Sequence, residues 1–98
     1  MTITRKPNGK TLEIALAGKL DTNTAPELAA ELEKGLDGAE SLVWDFSELD
    51  YISSAGFRVL LVAQNMLDDP DNMKVVHAND MVQTAFILTG QGDVLVNG

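Results

Sequence analysis

The sequence predicts an α/β fold: a small mixed, largely parallel β-sheet with helices packed mainly on one face. Three observations carry this prediction. Side chains alternate in residues 2–5 and 11–17 on either side of an Asn-Gly dipeptide, Asn8-Gly9, as in paired strands. Apolar residues recur at three- and four-residue spacings in three later segments, as on helices facing a core. These helical segments alternate with short strand-like runs, giving the order β β α β α β α β, in which crossover connections make neighbouring strands parallel. Three helices and about five strands are expected. The 98 residues suffice for one core, so residues 1–98 are read as a single domain.

Taken in order, Pro7-Asn8-Gly9-Lys10 separates the first two strands, and Asn-Gly tolerates the positive φ of a tight hairpin. In the second strand Leu12, Ile14 and Leu16 fall on one face. Gly18-Lys19-Leu20-Asp21 reads as a loop, and Thr24 with Glu27 reads as a capping box, with Pro26 in the first turn. Ala25, Leu28, Ala29, Leu32 and Leu36 form one helical stripe, and Gly38 suits its exit. Residues 41–46 are nearly continuously apolar and predict a parallel strand buried on both faces.

A polar turn then leads into a helix beginning at Ser54. It carries Phe57, Leu60, Leu61, Gln64 and Leu67 on one face and Val59, Val62, Ala63 and Met66 on another, so it is expected to be largely buried. Asp68-Asp69-Pro70-Asp71-Asn72 ends it, and residues 73–77 read as the next strand. Asn79 or Asp80 can cap a third helix bearing Met81, Val82, Ala85, Phe86 and Leu88, which Gly90 stops before a last strand at residues 93–96.

Composition excludes several classes of function. Seven basic against 15 acidic side chains leave a formal charge of −8, which argues against a nucleic-acid binder and favours basic partner patches. There is no cysteine, hence no disulfide framework, thiolate nucleophile or cysteine-based metal site. The N-terminus alternates, and no apolar run approaches the ~20 residues of a membrane span, so a cytoplasmic protein without direct membrane insertion is expected.

No metal or other cofactor is expected either. His77 stands alone and reads as a loop or partly buried residue, and the scattered glycines form no phosphate-binding loop. The acidic turn at residues 68–72 lacks the glycine and distal glutamate of a calcium-binding hand. Asp45 and Asp50 are better explained by backbone hydrogen bonding than by acid–base catalysis.

One segment remains: Asp45-Phe46-Ser47-Glu48-Leu49-Asp50-Tyr51-Ile52-Ser53-Ser54-Ala55-Gly56-Phe57-Arg58-Val59-Leu60-Leu61. It runs from strand through polar turn to helix, with small residues at the helix start. Ser54 or Ser53 there would accept a backbone N–H as a cap, worth about 1 kcal/mol. Ala55 and Gly56 permit close approach of helix and sheet. The same helix N-terminus favours negative charge, so a serine on it suits a phosphate of ~1.5 to 2 charges.

Residues 45–61 resemble the signature of STAS domains in bacterial anti-sigma factor antagonists, a strand, an Asp-Ser-Ser-Gly-like turn and a helix. Leu16-Ala17-Gly18-Lys19-Leu20-Asp21-Thr22-Asn23-Thr24-Ala25 resembles the family's other recognisable segment, and the order of elements is similar. The resemblance places Ser54 at the regulatory phosphoserine, Ser53 where many members have aspartate, and Ala55 where a second small polar residue is usual. Lys19 and Asp21 then belong to the loop beside the acceptor. Members often add a helix after the last strand, where this sequence ends at Gly98.

What the resemblance implies is a non-enzymatic partner-switching module. Unphosphorylated, it binds an anti-sigma factor that is also a serine kinase and so releases a sigma factor for transcription. Phosphorylation of Ser54 reverses binding and a serine phosphatase resets it. The partner surface is expected at Lys19, Asp21, Thr22, Ser53, Ser54, Ala55 and Gly56, with Arg58 one turn after Ser54 to pair with an acidic group, a phosphate or the protein's own surface. The alternative is a cytoplasmic STAS subunit of a lipid-transport ATPase complex or another non-sigma assembly. An enzyme or nucleotide-binding protein is disfavoured by the missing phosphate loop.

Overall fold

The computed structural model describes residues 1–95. Its elements are β1 (Thr2–Asn8), β2 (Thr11–Leu20), α1 (Ala25–Leu32), β3 (Ser41–Ile52), α2 (Ser54–Asn65), β4 (Met73–Val76) and α3 (Asp80–Leu88), with short 3-10 turns at Pro70–Asn72 and Gly92–Val94. The strands form one sheet in the order β1-β2-β3-β4, with β1 antiparallel to β2 and both other pairings parallel. This is the mixed, largely parallel sheet that the alternation of elements predicts.

Asn8 pairs with Thr11, so the hairpin turn is Gly9-Lys10, with Gly9 at φ +62°. β1 therefore continues through Pro7, which an edge strand tolerates because its N–H is not needed on the open side. Leu12, Ile14 and Leu16 of β2 and Leu42, Trp44 and Phe46 of β3 face the core. Against them pack Leu28 and Leu32 of α1, Phe57, Leu60 and Ala63 of α2, and Val82 and Phe86 of α3. Phe57 and Phe86 meet edge to face with ring centroids 4.7 Å apart, a geometry that aligns the positive edge of one ring with the negative face of the other.

Several expectations need correction. β3 is buried on one face only: Ser41, Val43 and Asp45, on the other, are half-buried. Its apolar run reflects one core face of large residues plus Val43, while its parallel pairing follows from the crossovers. α2 is not largely buried either, since Leu61, Val62 and Met66 are exposed; its core face takes Phe57 and Leu60 from one predicted stripe and Ala63 from the other. On α3, Met81 and Leu88 are likewise exposed while Val82 and Phe86 are fully buried.

The turns differ as well. α1 ends before Leu36, and Gly35 at φ +82° serves its exit. Thr24 precedes α1 but its side chain makes no cap; its hydroxyl donates to the Lys19 carbonyl at 2.7 Å and accepts from the Asp21 N–H at 2.8 Å. The capping box is thus replaced by a bond network closing the preceding loop. His77 follows β4 as an exposed residue with φ +61°. Of the strand expected at residues 93–96, Asp93 and Val94 end a 3-10 turn and Leu95 makes a parallel bridge to Val75, while Val96 lies outside the described residues.

Truncating the core face of α3 should therefore act very differently from truncating its open face. Phe86→Ala is expected to cost about 3–5 kcal/mol through a cavity under the sheet, whereas Leu88→Ala should stay within ~0.5 kcal/mol. Urea unfolding of the two variants checks this.

Candidate functional site

The segment singled out by sequence is shaped by two irregularities in the β2–β3 pairing. Ala15 pairs with Asp45 but Ala17 with Glu48, and Gly18 pairs with Leu49 but Lys19 with Tyr51. Each step gives β3 one more residue than β2, the mark of a bulge. What reads as a polar turn is therefore bulged strand, and Gly18, Lys19 and Leu20 end β2 instead of forming a loop. The Asp45 carboxylate accepts the Ser47 N–H at 3.0 Å beside the first bulge, which is the backbone role expected of it. Beyond it Phe46, Leu49 and Ile52 are buried at intervals of three.

The strand delivers the chain to α2 with Ser53 as its N-cap. Ser53 makes three hydrogen bonds inside the fold: its N–H donates to the Leu20 carbonyl at 2.9 Å, its carbonyl accepts from Phe57 N–H at 3.0 Å and its hydroxyl accepts from Gly56 N–H at 3.3 Å. Ser54, the first residue of α2, is exposed, and its hydroxyl makes no hydrogen bond among the described residues. Capping therefore belongs to Ser53. Ser54 is left free at a helix N-terminus, where backbone donors and the helix dipole accommodate an anion.

Beneath the two serines, Gly56 is buried, and a Cβ added there would lie 2.7 Å from Leu20 Cγ and 3.0 Å from Ile52 Cγ1. Gly56 thus allows the close packing of the helix start against the ends of β2 and β3. Ala55 is half-buried beside it. Arg58 is exposed and has no ion pair among the described residues, so the pairing to its own surface is not observed there.

The end of β2 lies alongside, because Lys19 pairs with Tyr51 and Leu20 with Ile52. Lys19 and Thr22 are exposed and Asp21 is half-buried. The Asp21 carboxylate accepts from Asn23 N–H at 2.9 Å and Thr24 N–H at 3.1 Å. Hydrogen bonding from the Thr24 backbone holds its pKa below the ordinary aspartate value. Lys19, Asp21, Thr22, Ser53, Ser54 and Arg58 thus come from the ends of β2 and β3 and the first turn of α2.

The same end of the sheet contains three residues that the sequence reading did not assign to the site: Asp50, Tyr51 and Met81 border one depression with Lys19 and Asp21. Bulging hid the Lys19–Tyr51 pairing, and Met81 has the spacing of a core residue. Among the described residues no group of three or more His, Asp or Glu side chains is placed to hold a metal, and no helix is long and apolar enough to cross a membrane.

A bulged strand thus runs into a Ser-capped helix over a mixed sheet. A family model described as "Mlab, STAS domain" matches residues 3–97, and the chain belongs to the STAS domain family. BtrV of Bordetella bronchiseptica, named as an anti-sigma factor antagonist, is 36% identical over 77 residues, which span 76% of this chain and 66% of that relative. An anti-sigma factor antagonist from Mycobacterium paratuberculosis superposes with a TM-score of 0.86 at 22% identity, over 99% of this chain and 86% of that one. The unphosphorylated anti-sigma factor antagonist SpoIIAA gives 0.85 at 18% identity, over 99% and 88%. The last two likenesses establish a shared fold.

The division between the serines is measurable as stability. Ser53→Ala should cost about 1 kcal/mol and Gly56→Ala ~1–3 kcal/mol through crowding against Leu20. Ser54→Ala should stay within ~0.5 kcal/mol, less than a capping role would require. Denaturant titrations of the three variants decide between the assignments.

Asp21 adds a pH dependence. Because its folded pKa is lowered, its contribution is complete above the unfolded value of 3.8 and is lost as pH falls through the folded value. Wild type should therefore lose more stability on acidification than Asp21→Asn, as thermal melts across the carboxylate range would read.

Proposed function

We propose that this protein is an anti-sigma factor antagonist working by partner switching in the cytoplasm. Unphosphorylated, it binds an anti-sigma factor that is also a serine kinase, releasing the sigma factor for transcription. The kinase transfers a phosphate to Ser54, the complex separates, and a serine phosphatase restores the binding form. The contact surface comprises Lys19, Asp21, Thr22, Ser53, Ser54, Ala55 and Arg58, with Gly56 beneath it. Catalysis resides in the partners.

The observation that carries this reading is the exposed, unbonded hydroxyl of Ser54 at the start of α2, beside a serine that already caps the helix. A phosphate there takes no hydrogen bond from the fold, yet adds charge and bulk at the centre of the surface. Membership of the STAS family and the likeness to BtrV agree with it.

The experiment is incubation of wild type, Ser54→Ala and Ser54→Asp with the cognate kinase and ATP, followed by peptide mapping and pull-down. Wild type should bind, gain phosphate on Ser54 and be released. Ser54→Ala should bind and stay bound, and Ser54→Asp should fold but bind more weakly, being a partial mimic. Phosphate at another residue, or equal release of wild type and Ser54→Ala, would refute the role of Ser54. Stable co-purification with a lipid-transport ATPase instead of a kinase would favour the alternative assembly.

A further inference from the structure

Two large apolar side chains lie exposed at the end of the sheet that bears Lys19 and Asp21: Tyr51 at 42% and Met81 at 62% relative exposure. They border one depression with Lys19, Asp21 and Asp50, although they come from different elements. Tyr51 sits near the end of β3, opposite Lys19. Met81 sits in the first turn of α3 and is held there by Asn79, whose side-chain amide donates to the carbonyls of Leu49 and Asp50 at 3.2 and 3.3 Å. The Asn79 side-chain oxygen accepts from Val82 N–H at 2.8 Å. One residue thus caps α3 and fixes it to the strand leading into Ser53.

The charge around this apolar pair is one-sided. Asp21 and Asp50 border it, and Asp80 adjoins Met81 in the chain, against the single ammonium of Lys19. Apolar anchors with a complementary charged rim are the usual anatomy of a specific protein interface. Resting on the reading proposed above, we infer that the Tyr51–Met81 surface is the anchor point of the kinase, receiving an apolar side chain flanked by Lys or Arg. The two ends of the interface then have opposite demands. The acidic end attracts the kinase, while Ser54 faces the nucleotide phosphates, where a transferred phosphate is repelled.

Calorimetric titration of the purified cognate kinase into the unphosphorylated protein tests this, with thermal melts confirming that each variant is folded. Met81→Ser and Tyr51→Ser should each weaken binding about tenfold or more. Leu88→Ser, at the opposite end of α3 and 81% exposed, should bind as wild type. Asp50→Asn should flatten the decline of affinity with added salt. If Met81→Ser binds as tightly as wild type, or Leu88→Ser loses as much, the anchor is refuted even where Ser54 is still phosphorylated. If wild type neither binds the kinase nor is phosphorylated by it, the partner-switching reading falls, and the anchor with it.

Discussion

The start of α2 presses against the ends of β2 and β3, and the candidate site depends on that approach. A side chain at residue 56 would put its Cβ 2.7 Å from Leu20 Cγ, so only glycine lets the helix begin where it does without displacing Leu20. The Ser53 N–H bond to the Leu20 carbonyl then fixes the strand end and the helix start at one spacing. Both contacts run through Leu20, whose neighbours Lys19 and Asp21 belong to the proposed surface. Two segments distant in sequence are thereby held as one surface by packing and one backbone bond.

This geometry also gives physical meaning to the departure from aspartate at residue 53. Serine and aspartate are comparable N-caps, and Ser53 does cap the helix through Gly56. What the substitution removes is a negative charge next to Ser54. In the proposed cycle a phosphate on Ser54 would therefore meet the N–H groups and dipole of α2 without an adjacent carboxylate repelling it. Arg58, exposed one helical turn further on, is the nearest cation along the helix to balance it.

How much of this was legible in the sequence depended on periodicity. The order of elements from β1 to α3, the mixed, largely parallel sheet and the three helices follow from regular apolar spacing and from the resemblance, and the structure has them in that order. The second half of β3 was not legible, because two bulges change its burial interval from two to three at Phe46, Leu49 and Ile52. A period of three in a short segment suggests neither a strand nor a long helix. Missing that strand also hid the Lys19–Tyr51 pairing and with it Tyr51 as a surface residue. Burial on the helices is overestimated for a different reason: spacing identifies apolar positions but not how wide a face a one-sided sheet can cover, so Val62, Met81 and Leu88 read as core although they are exposed.

The same one-sidedness bears on where the chemistry of the proposed cycle must occur. A serine hydroxyl is a weak nucleophile unless a base takes its proton, and no carboxylate or imidazole hydrogen-bonds Ser54 among the described residues. Its near neighbours are committed elsewhere: the Ser53 hydroxyl to Gly56 and the Asp21 carboxylate to the backbone of Asn23 and Thr24. In that cycle both the base and the phosphate-binding groups come from the kinase. The contribution of this chain is to hold the acceptor hydroxyl exposed and unbonded beside a serine that already caps the helix, so that phosphorylation alters the contact surface while leaving the bonds that maintain the fold in place.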